Sequence, residues 1–233
     1  RNRIINGAMM IDQRNAGAAI TTSGNYPVDR WMLSASTSSK TSVQQNGGGV
    51  TPPTGYTNYL GVTTTSAYTP TSGETFDVRQ WVEGLNVSDL AWGTSAALPI
   101  TLSFWVRSSL TGTFGGCIDN SGYSRSYLFS YTINSPNTWE YKTITIPGDT
   151  TGTWLTTNGR GLAVILMHSC ASSYLGPTGW NAGIYYAPTG QVNLLGTLGA
   201  TWYVTGVQLE KGSVATPFEY RQYGCLLYTS DAA

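Results

Sequence analysis

Residues 100–107 read Ile-Thr-Leu-Ser-Phe-Trp-Val-Arg, a period of two that suits a strand and cannot be buried on one side of a helix. Ile100, Leu102, Phe104 and Val106 share one face, and Thr101, Ser103, Trp105 and Arg107 share the other. The same period recurs at 75–83, through Phe76, Val78 and Val82, and at 203–209, where Tyr203, Thr205, Val207 and Leu209 alternate with Val204, Gly206 and Gln208. Residues 127–133 and 139–146 supply two more strands across an Asn134-Ser-Pro-Asn137 turn, and 31–36, 59–64 and 113–118 complete the pattern. Residues 162–167 are apolar at every position, as a central strand covered on both sides requires, although a short buried helix has the same look. A set of roughly nine or ten strands joined by long Gly/Pro connections predicts an all-β, jelly-roll-like antiparallel β-sandwich. The one helical suggestion lies at 87–92, where Ser88 or Asp89 can cap a single turn.

Two long segments have no strand or helix pattern, 44–56 and 172–188, and such loops are where contacts concentrate. The 233 residues suit one domain, assigned to 1–224. Twelve basic and twelve acidic side chains cancel, so no field steers nucleic acid or an anionic membrane, and neither is expected as a partner. No apolar run reaches the ~18 residues of a spanning helix and no signal peptide opens the chain, while Arg1 without a preceding Met suggests more sequence upstream. The segment from Cys225 to Ala233 matches a sequencing adapter translated in frame; 225–233 is therefore read as a non-native tail, with disorder expected after Gly224. That leaves Cys117 and Cys170, which are read as two mostly buried free thiols rather than a disulfide.

Catalytic patterns are sparse, and the chain is not read as an enzyme. His168, the only histidine, follows an apolar run and is expected in the core or at its rim. Nothing resembles a nucleophile elbow, and Cys117 and Cys170 form no zinc unit. Asp77, Glu83, Asp89, Asp119, Glu140 and Asp149 leave carboxylate-pair chemistry open in form, but turn-capping or solvated roles suit them better. No cofactor is expected; Asp119 and Asn120 with Asp149 or Asp77 are the residues for a structural calcium, without a loop signature to support it.

Aromatic side chains are the remaining material for a function, because pyranose C–H faces stack on Trp and Tyr while hydroxyls pair with polar groups at the rim. The leading cluster is Tyr174, Trp180, Asn181, Tyr185 and Tyr186 in the second long loop; Tyr56, Asn58, Tyr123 and Arg125 form another. Aromatic plugs closing the end of the sandwich are the plain alternative for the loop cluster.

Residues 3–14 (RIINGAMMIDQR), 26–31 (YPVDRW), 81–85 (WVEGL), 102–107, 137–142 (NTWEYK) and 202–221 (WYVTGVQLEKGSVATPFEYR) resemble, in order, the opening, middle and close of β-sandwich domains in tail-fibre and other virion structural proteins of tailed bacteriophages and prophages. The resemblance covers most of 1–224. It implies a non-catalytic, carbohydrate-binding-module-like virion domain that recognises a bacterial surface glycan or host receptor, is trimeric, contacts other tail proteins, and is assembled in the bacterial cytoplasm. A purely structural module, with Trp105 and Arg107 at its interface, and the carbohydrate-binding part of a depolymerase remain as alternatives. The opening and closing motifs are assigned to docking and closure, not to ligand contact.

Overall fold

The computed structural model describes residues 2–230. In chain order its strands are β1 (Met32–Ala35), β2 (Thr41–Gln45), β3 (Leu60–Thr64), β4 (Thr75–Glu83), β5 (Ile100–Ser108), β6 (Gly112–Asn120), β7 (Arg125–Ile133), β8 (Glu140–Ile146), β9 (Arg160–Cys170), β10 (Leu175–Gly176), β11 (Gly179–Ala182), β12 (Ala187–Pro188) and β13 (Thr201–Lys211). They form a six-stranded sheet, β1-β4-β9-β6-β7-β11, packed on a five-stranded sheet, β2-β3-β13-β5-β8, with β10 and β12 as a small parallel pair. Every pairing within the two large sheets is antiparallel, and the chain is a jelly-roll β-sandwich.

Every strand expected from the sequence is present, and the alternation points the expected way. Ile100, Leu102, Phe104 and Val106 are all fully buried between the sheets, each contributing on the order of 1.5–3 kcal/mol by leaving water. In β9, Leu162, Val164 and Leu166 face that core, while Ala163, Ile165 and Met167 face a second apolar cluster outside the six-stranded sheet. This resolves the strand-or-helix ambiguity: the run is apolar throughout because both of its faces are covered.

Other expectations need correction. β2 is not among the expected strands, because only Val43 marks it as apolar, and its last two residues fall in the first stretch read as loop; β10, β11 and β12 lie inside the second long loop. Residues 84–90 form two short 3-10 turns without a side-chain cap, and the Asp89 carboxylate pairs with Arg3 instead of capping. Disorder after Gly224 is replaced by a helix, α1 (Tyr223–Ser230), whose Leu226 is buried against the hollow formed by Ile4, Ala8 and Phe218. Residues 231–233 of the expected tail lie outside the described residues. Cys117 is buried and Cys170 half-buried, both as free thiols.

The opening and closing motifs bond to each other. Asn2 reaches the Val207 carbonyl through its amide and accepts from the Leu209 N–H; the Val207 N–H donates to the Gly7 carbonyl. Arg221 donates to the Asn2 carbonyl at 2.6 Å, and buried Asp29 accepts from the Gln13 side chain at 2.8 Å. A Cβ at Gly7 would collide with the Val207 carbonyl oxygen. Gly7→Ala is therefore expected to pry the opening segment off β13 and cost about 2 kcal/mol in urea unfolding.

Candidate functional site

The aromatic residues singled out from the sequence separate into three places. Trp180, on edge strand β11, donates its indole N–H to the Pro147 carbonyl at 2.9 Å and meets Tyr127, Trp92 and Trp154 edge-on at 5.1, 5.4 and 5.7 Å. Arg125 lies 5.5 Å over its ring and grips Asp149 with two hydrogen bonds of 2.7 and 2.8 Å. Asn181 turns its amide onto the Pro177 and Gly179 carbonyls, and Tyr123 sits nearby in a left-handed turn after β6. Tyr174 and Tyr186 pack edge-on at 4.9 Å, and Tyr185 lies against Gly176; Tyr185 and Tyr186 pack on the second apolar cluster. On the opposite side of the molecule, Tyr56 packs on Phe218 and Tyr220, and the Asn58 carbonyl accepts from Thr205. Arg125 thus joins Trp180, whereas Tyr56 and Asn58 belong to the five-stranded sheet.

The tryptophans sort by what their N–H groups do. A buried indole N–H needs a partner, and Trp31, Trp92, Trp139, Trp154, Trp180 and Trp202 each donate to a protein oxygen. Among the described residues Trp81 and Trp105 have no such acceptor. Both are half-buried, and each stands on the outer face of a different sheet beside a cleft. Hydrogen bonding holds the other six, four of which (Trp31, Trp92, Trp154 and Trp202) are also buried, so Trp81 and Trp105 are the two indoles with polar capacity left for a ligand.

Trp105, on β5, lies directly opposite Tyr141 on β8, with ring centres 5.4 Å apart and planes tilted by 49°. The two rings floor a groove of about 530 Å³ walled by Tyr56 and Phe218 and edged by Ser103, Thr143 and Thr216. β13 carries a bulge where Thr205 pairs with Trp105 but Gln208 pairs with Ser103. Its Gly206 has φ +63, and a Cβ there would strike the Tyr56 ring and hydroxyl, so glycine is what admits Tyr56 to the groove. Burial, with Tyr220 close by, pushes the Tyr56 phenol well above its ordinary range and keeps it a neutral hydroxyl. Among the described residues no charged side chain lines the groove. Tyr56 was legible as a candidate; Tyr141 and Phe218 were missed, because nothing local shows that residues so far apart in sequence meet.

No family model matches the chain, and no curated protein matches it. Among solved structures, a "putative sugar binding protein" from Bacteroides thetaiotaomicron aligns with a TM-score of 0.50 at 11% identity, over 91% of this chain and 100% of that one. The enzymatically active domain of bacteriophage CBA120 tailspike protein 4 aligns at 12% identity and TM-score 0.47 over 90% of this chain. The carbohydrate-binding module TmCBM61, solved with β-1,4-galactotriose, aligns at 11% identity and TM-score 0.43, over 91% of this chain and 99% of that one. The chain spans 21% of the length of the tailspike chain. The likeness is one of fold.

The carboxylates are committed to cations. Asp77 pairs with Arg79, Glu83 with Arg30, Asp89 with Arg3 and Lys211, Glu140 with Lys142, and Asp149 with Arg125. Asp77 and Asp149, named above for calcium, thus hold guanidinium groups, and the Asn120 side-chain amide donates to Ser124 and the Thr153 carbonyl. Asp119 alone of the six makes no ion pair among the described residues, although the charges of Arg79 and Arg160 act on it, and one of its oxygens is buried without a hydrogen bond. Burial raises it to about 7.

Proposed function

We propose that this chain is a non-catalytic glycan-binding domain that holds neutral pyranose rings in the Trp105–Tyr141 groove. The observation that carries this reading is the half-buried Trp105 ring, its N–H unclaimed, beside exposed Tyr141 in a groove with hydroxyl edges and no charge. Aromatic faces take the C–H side of a sugar while Thr143 and Tyr56 offer hydroxyls to its rim. Among the sheet-face aromatics this groove supports the reading better than Trp180 does, because the Trp180 ring is already boxed in by three aromatic neighbours and Arg125.

The resemblance of the opening and closing motifs supports reading the chain as a tail-fibre domain of a tailed phage, one that reads a bacterial surface glycan. Single-site affinity is weak in this reading, and trimeric assembly with repeated copies on the particle multiplies it into avidity. Trp105→Ala is expected to weaken binding to neutral bacterial-surface oligosaccharides on an array at least about tenfold, while Tm stays within about 2 °C because the ring is not part of the core. Light scattering on the same variant separates the structural alternative: a fall in oligomer mass with no change in glycan binding assigns the groove to a subunit contact.

A further inference from the structure

We propose that the cleft over Trp81, on the outer face of the six-stranded sheet, is a second binding site, for a carboxylate-bearing pyranose such as a uronate. It faces away from the Trp105 groove, since the two sheets bury their inner faces against each other, and it does not rest on the reading of that groove. The cleft has a volume of about 300 Å³ and is lined by Tyr26, Arg30, Trp81, Glu83, Asn158 and Arg160, together with Gly159. That is the lower end of the range for small-molecule sites.

Arg160 sets the charge this cleft would accept. It is exposed, its guanidinium lies 4.0 Å from the centre of the Trp81 ring, and it has no ion pair or side-chain hydrogen bond among the described residues. Its cross-strand partner is Glu83, and buried Asp119 also feels its charge but makes no ion pair with it among the described residues. Glu83 instead accepts from Arg30 at 2.6 Å and from Asn86 at 3.0 Å. The cleft therefore has two cations and one anion, with the surplus charge on a planar fork already held against an indole. A guanidinium so placed is organised for bidentate pairing with a carboxylate, and the ordering cost is met before the ligand arrives. The Trp81 N–H, unclaimed by protein, and the Asn158 amide supply donors for ring hydroxyls, and Tyr26 gives a further aromatic wall. Tyr26 and Arg30 come from the 26–31 stretch and Trp81 and Glu83 from 81–85, which the docking of the opening and closing motifs leaves without a role in ligand contact.

The probe is tetragalacturonate, titrated into the full chain by calorimetry beside its fully methyl-esterified form, which keeps the rings and removes the charge. The acid form is expected to bind about tenfold or more tightly than the ester. Arg160→Gln should remove that preference and leave Tm unchanged, Arg160→Lys should keep part of it, and Trp105→Ala should keep all of it. Equal affinity for acid and ester, undiminished acid binding in Arg160→Gln, no binding of the acid form, or displacement by inorganic phosphate at equal concentration overturns the proposal. Because the Trp105 variant is scored separately on neutral glycans, failure of one site leaves the other standing or falling by its own result.

Discussion

Between pH 4.5 and 6.5 the stability of this protein is expected to be almost flat, and two single substitutions should tilt it in opposite directions. His168 is the extra residue of a bulge in β9, where Phe76 pairs with Ser169 but Asp77 pairs with Met167. It packs edge-on against Trp202 at 4.8 Å, and among the described residues neither ring nitrogen has a hydrogen-bond partner. Burial lowers its pKa from 6.5 to about 3. As pH falls below 6.5 the unfolded chain gains a proton there that the folded chain refuses, so stability drops by on the order of 1.4 kcal/mol per pH unit. Asp119 works the other way. Burial raises it from 3.8 to about 7, so as pH falls below 7 the folded state gains the proton first and stability rises at a similar slope. His168→Phe, which keeps a ring against Trp202, should leave only the Asp119 slope, with a gain of about 3 kcal/mol on going from pH 7 to 4.5. Asp119→Asn should leave only the His168 slope, with a loss of about 3 kcal/mol from pH 6.5 to 4.5. Urea unfolding at a series of pH values measures both. Parallel, flat profiles for both variants would mean that neither group titrates in this window.

Asp149→Ala is expected to be more damaging at neutral pH, costing about 3–5 kcal/mol, because it strands a partly buried cation. The carboxylate is 2% exposed and accepts two bonds from Arg125, two from Thr151 and one from the Trp154 indole. Arg125 in turn lies over Trp180, which is packed against Trp92 and Trp154. Removing the carboxylate leaves the guanidinium under that aromatic cap without its partner, and the cap loses its anchor to the 149–154 turn. For a chain of this length the loss corresponds to a fall in Tm of about 10 °C. Asp149→Asn, which keeps the shape and some of the acceptor capacity, should lie between the wild type and alanine. A variant that keeps its Tm but loses glycan binding would instead make the Trp180 cluster a ligand platform.

Local pattern carried much of the fold and little of the site. The period of two in residues 100–107 and 75–83 needs only a pleated strand with one wet and one dry face, so it was legible without any knowledge of neighbours. β2 was not, because Thr-Ser-Val-Gln-Gln has one apolar side chain and is held as a strand by its pairing with β3. β11 was not, because its sequence reads as a turn-rich loop until β7 offers it an edge. α1 was set aside for the origin assigned to its residues, yet Leu226 is still an apolar side chain with a hollow to fill.

What the sequence by itself determined is the class: strand periodicity, glycine-rich turns and the absence of a helical face dictate a sandwich, and the lack of net charge follows from counting. Only the tertiary structure decided which aromatic residues serve the core and which face a cleft. Trp105 and Trp180 have the same side chain, and sequence placed the greater weight on Trp180 because it lies in a long loop. Whether an indole N–H is claimed depends on acceptors far away in the chain, such as the Pro147 carbonyl that Trp180 meets across 33 residues. The free guanidinium of Arg160 has the same origin, since Glu83 is turned from it by Arg30, 53 residues earlier. Commitments of that kind are made between strands, and no local pattern records them.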